Sequence, residues 1–204
     1  MTGRSHHKAL AQFLEKIPAP ARSYIHELIE NSTFRIIMTN QRISRHGSFA
    51  VSRITRQPVV RISYQLTPQL FLLVFLHEAA HYKVWLHKGN RHVPHGKEWK
   101  NEFSLLLKPL IELEALDNEF KQAVYNVMHK TRATFNNDLK LLSIINRLDG
   151  GSKFKTVREF AEGESFVLSG KRFIKMKTLR TRTKCFCPDD KKYYLVSLNA
   201  QIFQ

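Results

Sequence analysis

Residues 67–89 read TPQLFLLVFLHEAAHYKVWLHKG, and the rest of the chain is organised around this stretch. Thr67 suits the N-cap position, Pro68 suits the first helical position because no N–H is needed there, and Gly89 supplies the C-terminal stop. The apolar run from residue 70 to 76 covers every side of the helix. Its first half is therefore predicted to be the central buried helix of the fold. That run is also the longest apolar one in the chain, at seven residues, far short of the ~20 that span a bilayer.

The second half of the helix carries chemistry. His77-Glu78-Ala79-Ala80-His81 is an H-E-x-x-H pattern. Residues four apart on a helix differ by only about 40° around the axis, so the two imidazoles project towards a common point. Zinc suits such a pair, since it takes nitrogen ligands and lowers the pKa of a bound water towards 7. Glu78 stands beside the first ligand, placed to take the proton of that water without binding the metal.

A catalytic zinc site needs a third protein ligand and an open position. Four residues compete. His87 has the six-residue spacing of metzincins but lacks their helix-breaking glycine, because Val84 occupies that position, and on a continuous helix it points about 120° away from His81. Glu102 would serve a zinc hydrolase of another class. His92 lies within reach in the loop, with nothing to fix its direction. His95 is preferred: a loop of six residues spans up to ~20 Å, against the ~10 Å of helix that follows His81, so the chain can double back and open the next helix beside HEAAH. Gly96 then permits close backbone approach.

Working outwards, helices are predicted over residues 7–17 and from Pro20, the latter with Ala21, Tyr24, Ile25, Leu28 and Ile29 on one face. Residues 34–39, 48–55 and 58–64 are β-branched-rich and separated by turn chemistry, which predicts three antiparallel strands. Downstream of His95 lie helices near residues 118–129 and 137–148. Asp149-Gly150-Gly151 follows, and the apolar period then changes from 3.6 to 2. Strands are predicted near 165–168, 172–177, 181–187 and 193–198, with a turn at Pro188-Asp189-Asp190. The expected domains are 1–149 and 150–204.

Composition narrows the partners. The 204 residues are 43% hydrophobic and 25% charged, an ordinary globular balance. Thirty-three Lys and Arg oppose 17 Asp and Glu, for a net charge of +16. Such an excess points away from small neutral metabolites and towards a polyanion. No Asp or Glu occurs between residues 31 and 77, whereas Arg35, Arg42, Arg45, Arg53, Arg56 and Arg61 all do. The opening MTGRSHHKALAQF has no apolar signal core, and two cysteines make no disulfide framework, so a cytoplasmic location is expected.

LHEAAHYKVW followed by HGKEWK resembles the SprT-like family of zinc metalloproteases, whose pattern is H-E-x-x-H on one helix and H-G-x-x-F/W opening the next. The likeness extends more loosely over residues 21–116. It implies that His77, His81 and His95 hold Zn2+, that Glu78 is the catalytic glutamate, and that Trp99 is the motif aromatic. It implies a metallopeptidase acting on DNA-associated or DNA-crosslinked proteins. The fold expected is α+β: a zincin-like helical core with a small three-stranded antiparallel sheet, and a small C-terminal β-rich subdomain resembling a degenerate zinc ribbon. The alternatives are a non-catalytic nucleic-acid-binding protein with a structural zinc, or a zinc hydrolase using Glu102.

Many relatives carry a C-terminal zinc ribbon with four ligands. Here only Cys185 and Cys187 occur, and no histidine follows His129. A second zinc site is not expected, and buried reduced thiols are. Residues 171–192 hold nine basic residues against Asp189 and Asp190, with Phe173, Phe186, Tyr193 and Tyr194 interleaved. That mixture fits a surface that neutralises phosphates and stacks bases. Period-2 alternation equally allows a solvated face with the aromatics turned inward.

Overall fold

The structure, a computed structural model, describes residues 3–39, 46–89, 93–129, 139–148, 150 and 154–203. The chain is α+β and divides into two compact units, Met1–Phe135 and Asn136–Gln204. This division falls upstream of the 149/150 boundary expected from the glycine pair, so the helix before that pair goes with the second unit. A glycine pair marks a sharp change of chain direction, and such changes occur inside units as well as between them.

In the first unit the order is α1 (Gly3–Glu15), α2 (Arg22–Glu30), β1 (Arg35–Thr39), β2 (Gly47–Val51), β3 (Pro58–Ser63), α3 (Pro68–Lys88), α4 (Lys97–Glu112) and α5 (Asn118–His129). Helix α3 is the central element that its apolar first half predicts. Residues 70–76 are all buried, as are Ala79 and Ala80. It packs against β2, β3 and α4, and α4 packs on α5. Phe13 of α1 packs on the same helix, its ring centroid 5.1 Å from Phe71 and 5.0 Å from Phe75. Gly89 ends the helix with φ +58°, a left-handed conformation open to glycine, and its N–H donates to Trp85 O at 2.8 Å.

The three-stranded sheet corrects one expectation. Its order is β1-β3-β2, with β2 antiparallel to β3 but β1 parallel to it. The three strands are therefore mixed and not all antiparallel. Turn residues report that the chain reverses, but not which edge the next strand joins, and β3 inserts between the two earlier strands. Burial explains why it takes the centre: Val59, Val60 and Ile62 are all buried. Of the arginines read from the sequence, Arg35 is exposed at the start of β1, Arg53 and Arg56 are exposed in the connection between β2 and β3, and Arg61 is half-buried on β3. Arg42 and Arg45 lie outside the described residues.

The second unit contains α6 (Leu139–Leu148), β4 (Phe154–Thr156), β5 (Ser165–Leu168), β6 (Lys171–Thr178), β7 (Arg182–Cys187), β8 (Lys192–Ser197) and β9 (Gln201–Phe203). Strands β5-β6-β7-β8 form an antiparallel meander, and β4 pairs with β9 in a separate ribbon that the sequence did not suggest. The core is Val157, Phe160, Phe166, Phe173, Cys185, Cys187, Val196 and Ile202. Both thiols are free and buried, and burial pushes the Cys185 thiol up. Lys175, counted from sequence with the basic surface, is instead buried. Its ammonium donates to Val157 O at 3.1 Å, Arg158 O at 3.3 Å and Phe160 O at 2.6 Å.

Candidate metal centre

The first two histidines come from the same face of α3, one turn apart. His95 lies in the turn that precedes α4, with φ +58°. A non-glycine residue in this region costs ~1–2 kcal/mol of local strain, a cost that recurs where function needs a particular side-chain direction. The turn is tight: Gly96 N–H donates to Val93 O at 2.9 Å, and a Cβ on residue 96 would stand 2.9 Å from that same oxygen. Glycine at 96 is therefore required by space, as the close approach read from sequence demands.

These elements bring three Nε2 atoms together. His95 Nε2 lies 3.1 Å from His81 Nε2 and 3.1 Å from His77 Nε2. The ligand atoms of the three residues all lie within 4.8 Å of one another, and among the described residues no other His, Cys, Asp or Glu forms such a group. Three imidazoles cannot satisfy one another in this arrangement, because a single N–H on His95 Nε2 can point to only one neighbour. A cation accepting all three lone pairs resolves it. Two nitrogens bound at ~2.0–2.1 Å with tetrahedral geometry lie about 3.3–3.4 Å apart, close to the spacing seen. The residues fit a metal ion.

Electrostatics agree. Burial pushes the His77 pKa down to about 3, helped by repulsion from His81 and His95, and burial also lowers His95. A neutral imidazole is the form that binds a metal. Aromatic rings back the cluster. The Trp99 ring centroid is 4.6 Å from His77, 5.3 Å from His81 and 4.8 Å from His95, and it stacks on Phe103 at 4.8 Å. Trp99 is fully buried, so this side of the cluster is dry.

The other named residues fall as follows. Glu78 is buried on α3 and is not one of the grouped ligands. Its carboxylate lies against β2 at Gly47, a contact the sequence did not suggest. Glu102 lies on α4 outside the ligand group, His87 is exposed at the end of α3, and His92 is outside the described residues. Cys185 and Cys187 join no ligand group. Among the described residues no helix is long and apolar enough to cross a membrane. Comparison of the chain with protein-family models, with curated proteins and with solved structures finds no match.

Proposed function

We propose that the chain is a zinc-dependent metallopeptidase of SprT-like type that hydrolyses peptide bonds in DNA-associated or DNA-crosslinked proteins in the cytoplasm. The observation that carries this reading is the convergence of His77, His81 and His95 through Nε2, with Glu78 next to the first ligand on the same buried helix. Zinc is the ion of choice for three neutral imidazoles with a fourth position open.

Zinc held there supplies Lewis acidity, which makes water nucleophilic at neutral pH and polarises a carbonyl. Glu78 does the proton work: a carboxylate oxygen takes the proton of the attacking water and returns it to the departing amine nitrogen. Trp99 and Phe103 keep water from the backs of the imidazoles. Helix α3, anchored by its buried first half, holds both of its ligands in register. Support for a DNA-bound substrate comes from the +16 net charge and from exposed Arg35, Arg53 and Arg56.

The second reading, a structural metal in a nucleic-acid-binding protein, gives Glu78 no task. Glu78→Gln separates the two. The variant should fold and retain zinc yet lose at least about 100-fold in peptide hydrolysis, the scale of losing a general base. Hydrolysis at the unaltered rate would exclude Glu78 as the base, and absence of hydrolysis in the unaltered protein would favour the structural metal. A hydrolase built on Glu102 would instead lose its metal in Glu102→Ala.

A further inference from the structure

Contacts between α3 and the first sheet fix where the open edge of β2 lies. Gly47 stands against Val74 and Glu78, and the Phe49 ring centroid is 6.2 Å from those of Tyr82 and Trp85. At about 100° per residue, these four contacts centre about 75° round the helix from the His77 and His81 pair. Phe34, immediately before β1, meets Phe75 at 6.1 Å and Tyr82 at 4.8 Å. Those contacts centre about 130° round in the same sense. With the order β1-β3-β2, β2 is therefore the strand nearest the metal centre, and its unpaired edge faces that way.

Hydrogen-bond parity shows which groups the edge presents. Ser63 N–H donates to His46 O at 3.0 Å and Ser52 N–H to Gln57 O at 2.8 Å, each between residues directly opposite in the β2–β3 register. Bonded and unbonded positions alternate along an antiparallel pair. Residues 48 and 50 therefore bond to β3, whereas Gly47, Phe49 and Val51 turn their N–H and C=O groups outwards. No described strand receives them. An extended peptide laid along this edge would take those bonds as a further strand does.

Charge distinguishes the two ends of the edge. Between residues 31 and 97 the single carboxylate is Glu78, which is buried beside Gly47 at the start of β2. Beyond Val51, at the other end, the connection to β3 carries Arg53 and Arg56, both exposed, and α3 finishes on exposed Lys88 three residues after Trp85. We propose that this edge selects extended substrate segments with Asp or Glu about four to seven residues before the bond to be cut, their carboxylates held by Arg53 and Arg56. Antiparallel pairing is the more stable kind, and a peptide so paired runs from the arginines towards Glu78. What lies at the arginines then precedes the cut. Arg53 is six positions beyond Gly47, about 20 Å of strand, which sets that spacing. The proposal rests on the peptidase reading and adds to it the chemistry of the substrate.

The test uses the zinc-loaded full chain and fluorogenic peptides that differ only in the block before the cut, which is Glu, Gln or Lys. Cleavage should fall in that order. The Glu peptide should exceed the Gln peptide roughly 2- to 30-fold in kcat/KM, the range of two exposed ion pairs. Glu placed after the cut should give no gain. In Arg53→Glu/Arg56→Glu the order should reverse, and in about 1 M salt it should vanish for both proteins, because the screening length falls to ~3 Å. Affinity of the same peptides for Glu78→Gln, read by fluorescence anisotropy, should follow the same order even where no peptide is cut. Equal cleavage and equal affinity across the peptides would overturn the selectivity while leaving the peptidase reading intact. Ordered affinity without cleavage by the unaltered protein would do the reverse. A gain from Glu after the cut would overturn the antiparallel orientation and the proposal with it. Loss of oligo-dT affinity in the double variant, with the peptide order unchanged, would assign the arginines to nucleic acid and overturn it too.

Discussion

Gly47 lies against the carboxylate of Glu78. A Cβ on residue 47 would come within 3.0 Å of Glu78 Oε1, 3.1 Å of its Cγ and 2.7 Å of Val74 Cγ1. Glycine is needed here for space and not for conformation, because the residue begins an ordinary β-strand. The first residue of β2 thereby sets how far the Glu78 side chain can move away from α3.

Gly47→Ala should therefore lower peptide hydrolysis by up to about 10-fold while the metal content stays unchanged, since the carboxylate must give by only a few tenths of an ångström and a displacement of ~1 Å costs about 100-fold. The double variant Gly47→Ala/Val74→Ala removes the closest clash. It should recover thermal stability relative to Gly47→Ala but not the rate, as the carboxylate remains displaced. Recovery of both would show that residue 47 matters only for packing on Val74.

Metal content provides a second check. The purified protein should hold about one zinc per chain by elemental analysis, and His95→Ala should lose it on dialysis. Two tightly held zincs would contradict the placement of Cys185 and Cys187 as core thiols. Full zinc content in His95→Ala would transfer the third ligand to Glu102 or His92.

Acid should destabilise the metal-stripped protein in a defined window. His77 has a folded pKa of about 3 against an ordinary value of 6.5. Between these values the unfolded chain binds the extra proton, so stability rises with pH across the window and falls as pH drops from about 6.5 towards 3. The His77 contribution to the slope is at most about 1.4 kcal/mol per pH unit, measured by urea unfolding at several pH values. His77→Phe should flatten the slope in this window. An unchanged slope in that variant would exclude His77 as its source.

Lys175→Met should destabilise the second unit. The ammonium satisfies three carbonyls of the 157–160 turn, and methionine fills similar volume without donating. Leaving those acceptors buried should cost on the order of 3 kcal/mol, seen as a lower urea midpoint. An unshifted midpoint would mean that water replaces the ammonium.

Helix α3 and most of the candidate metal centre were legible from residues 67–96 alone. Caps and glycine stops are local, the i, i+4 spacing of His77 and His81 follows from helix geometry, and loop length bounds the reach of His95. Local backbone chemistry determines each of these. The parallel pairing of β1 with β3, the contact of Gly47 with Glu78, the burial of Lys175 and the turning out of Phe186 and Tyr193 were decided only by tertiary structure. Each depends on which segments meet across the fold, and that choice minimises exposed apolar area and unsatisfied polar groups over the whole chain, a balance that no single stretch of sequence contains.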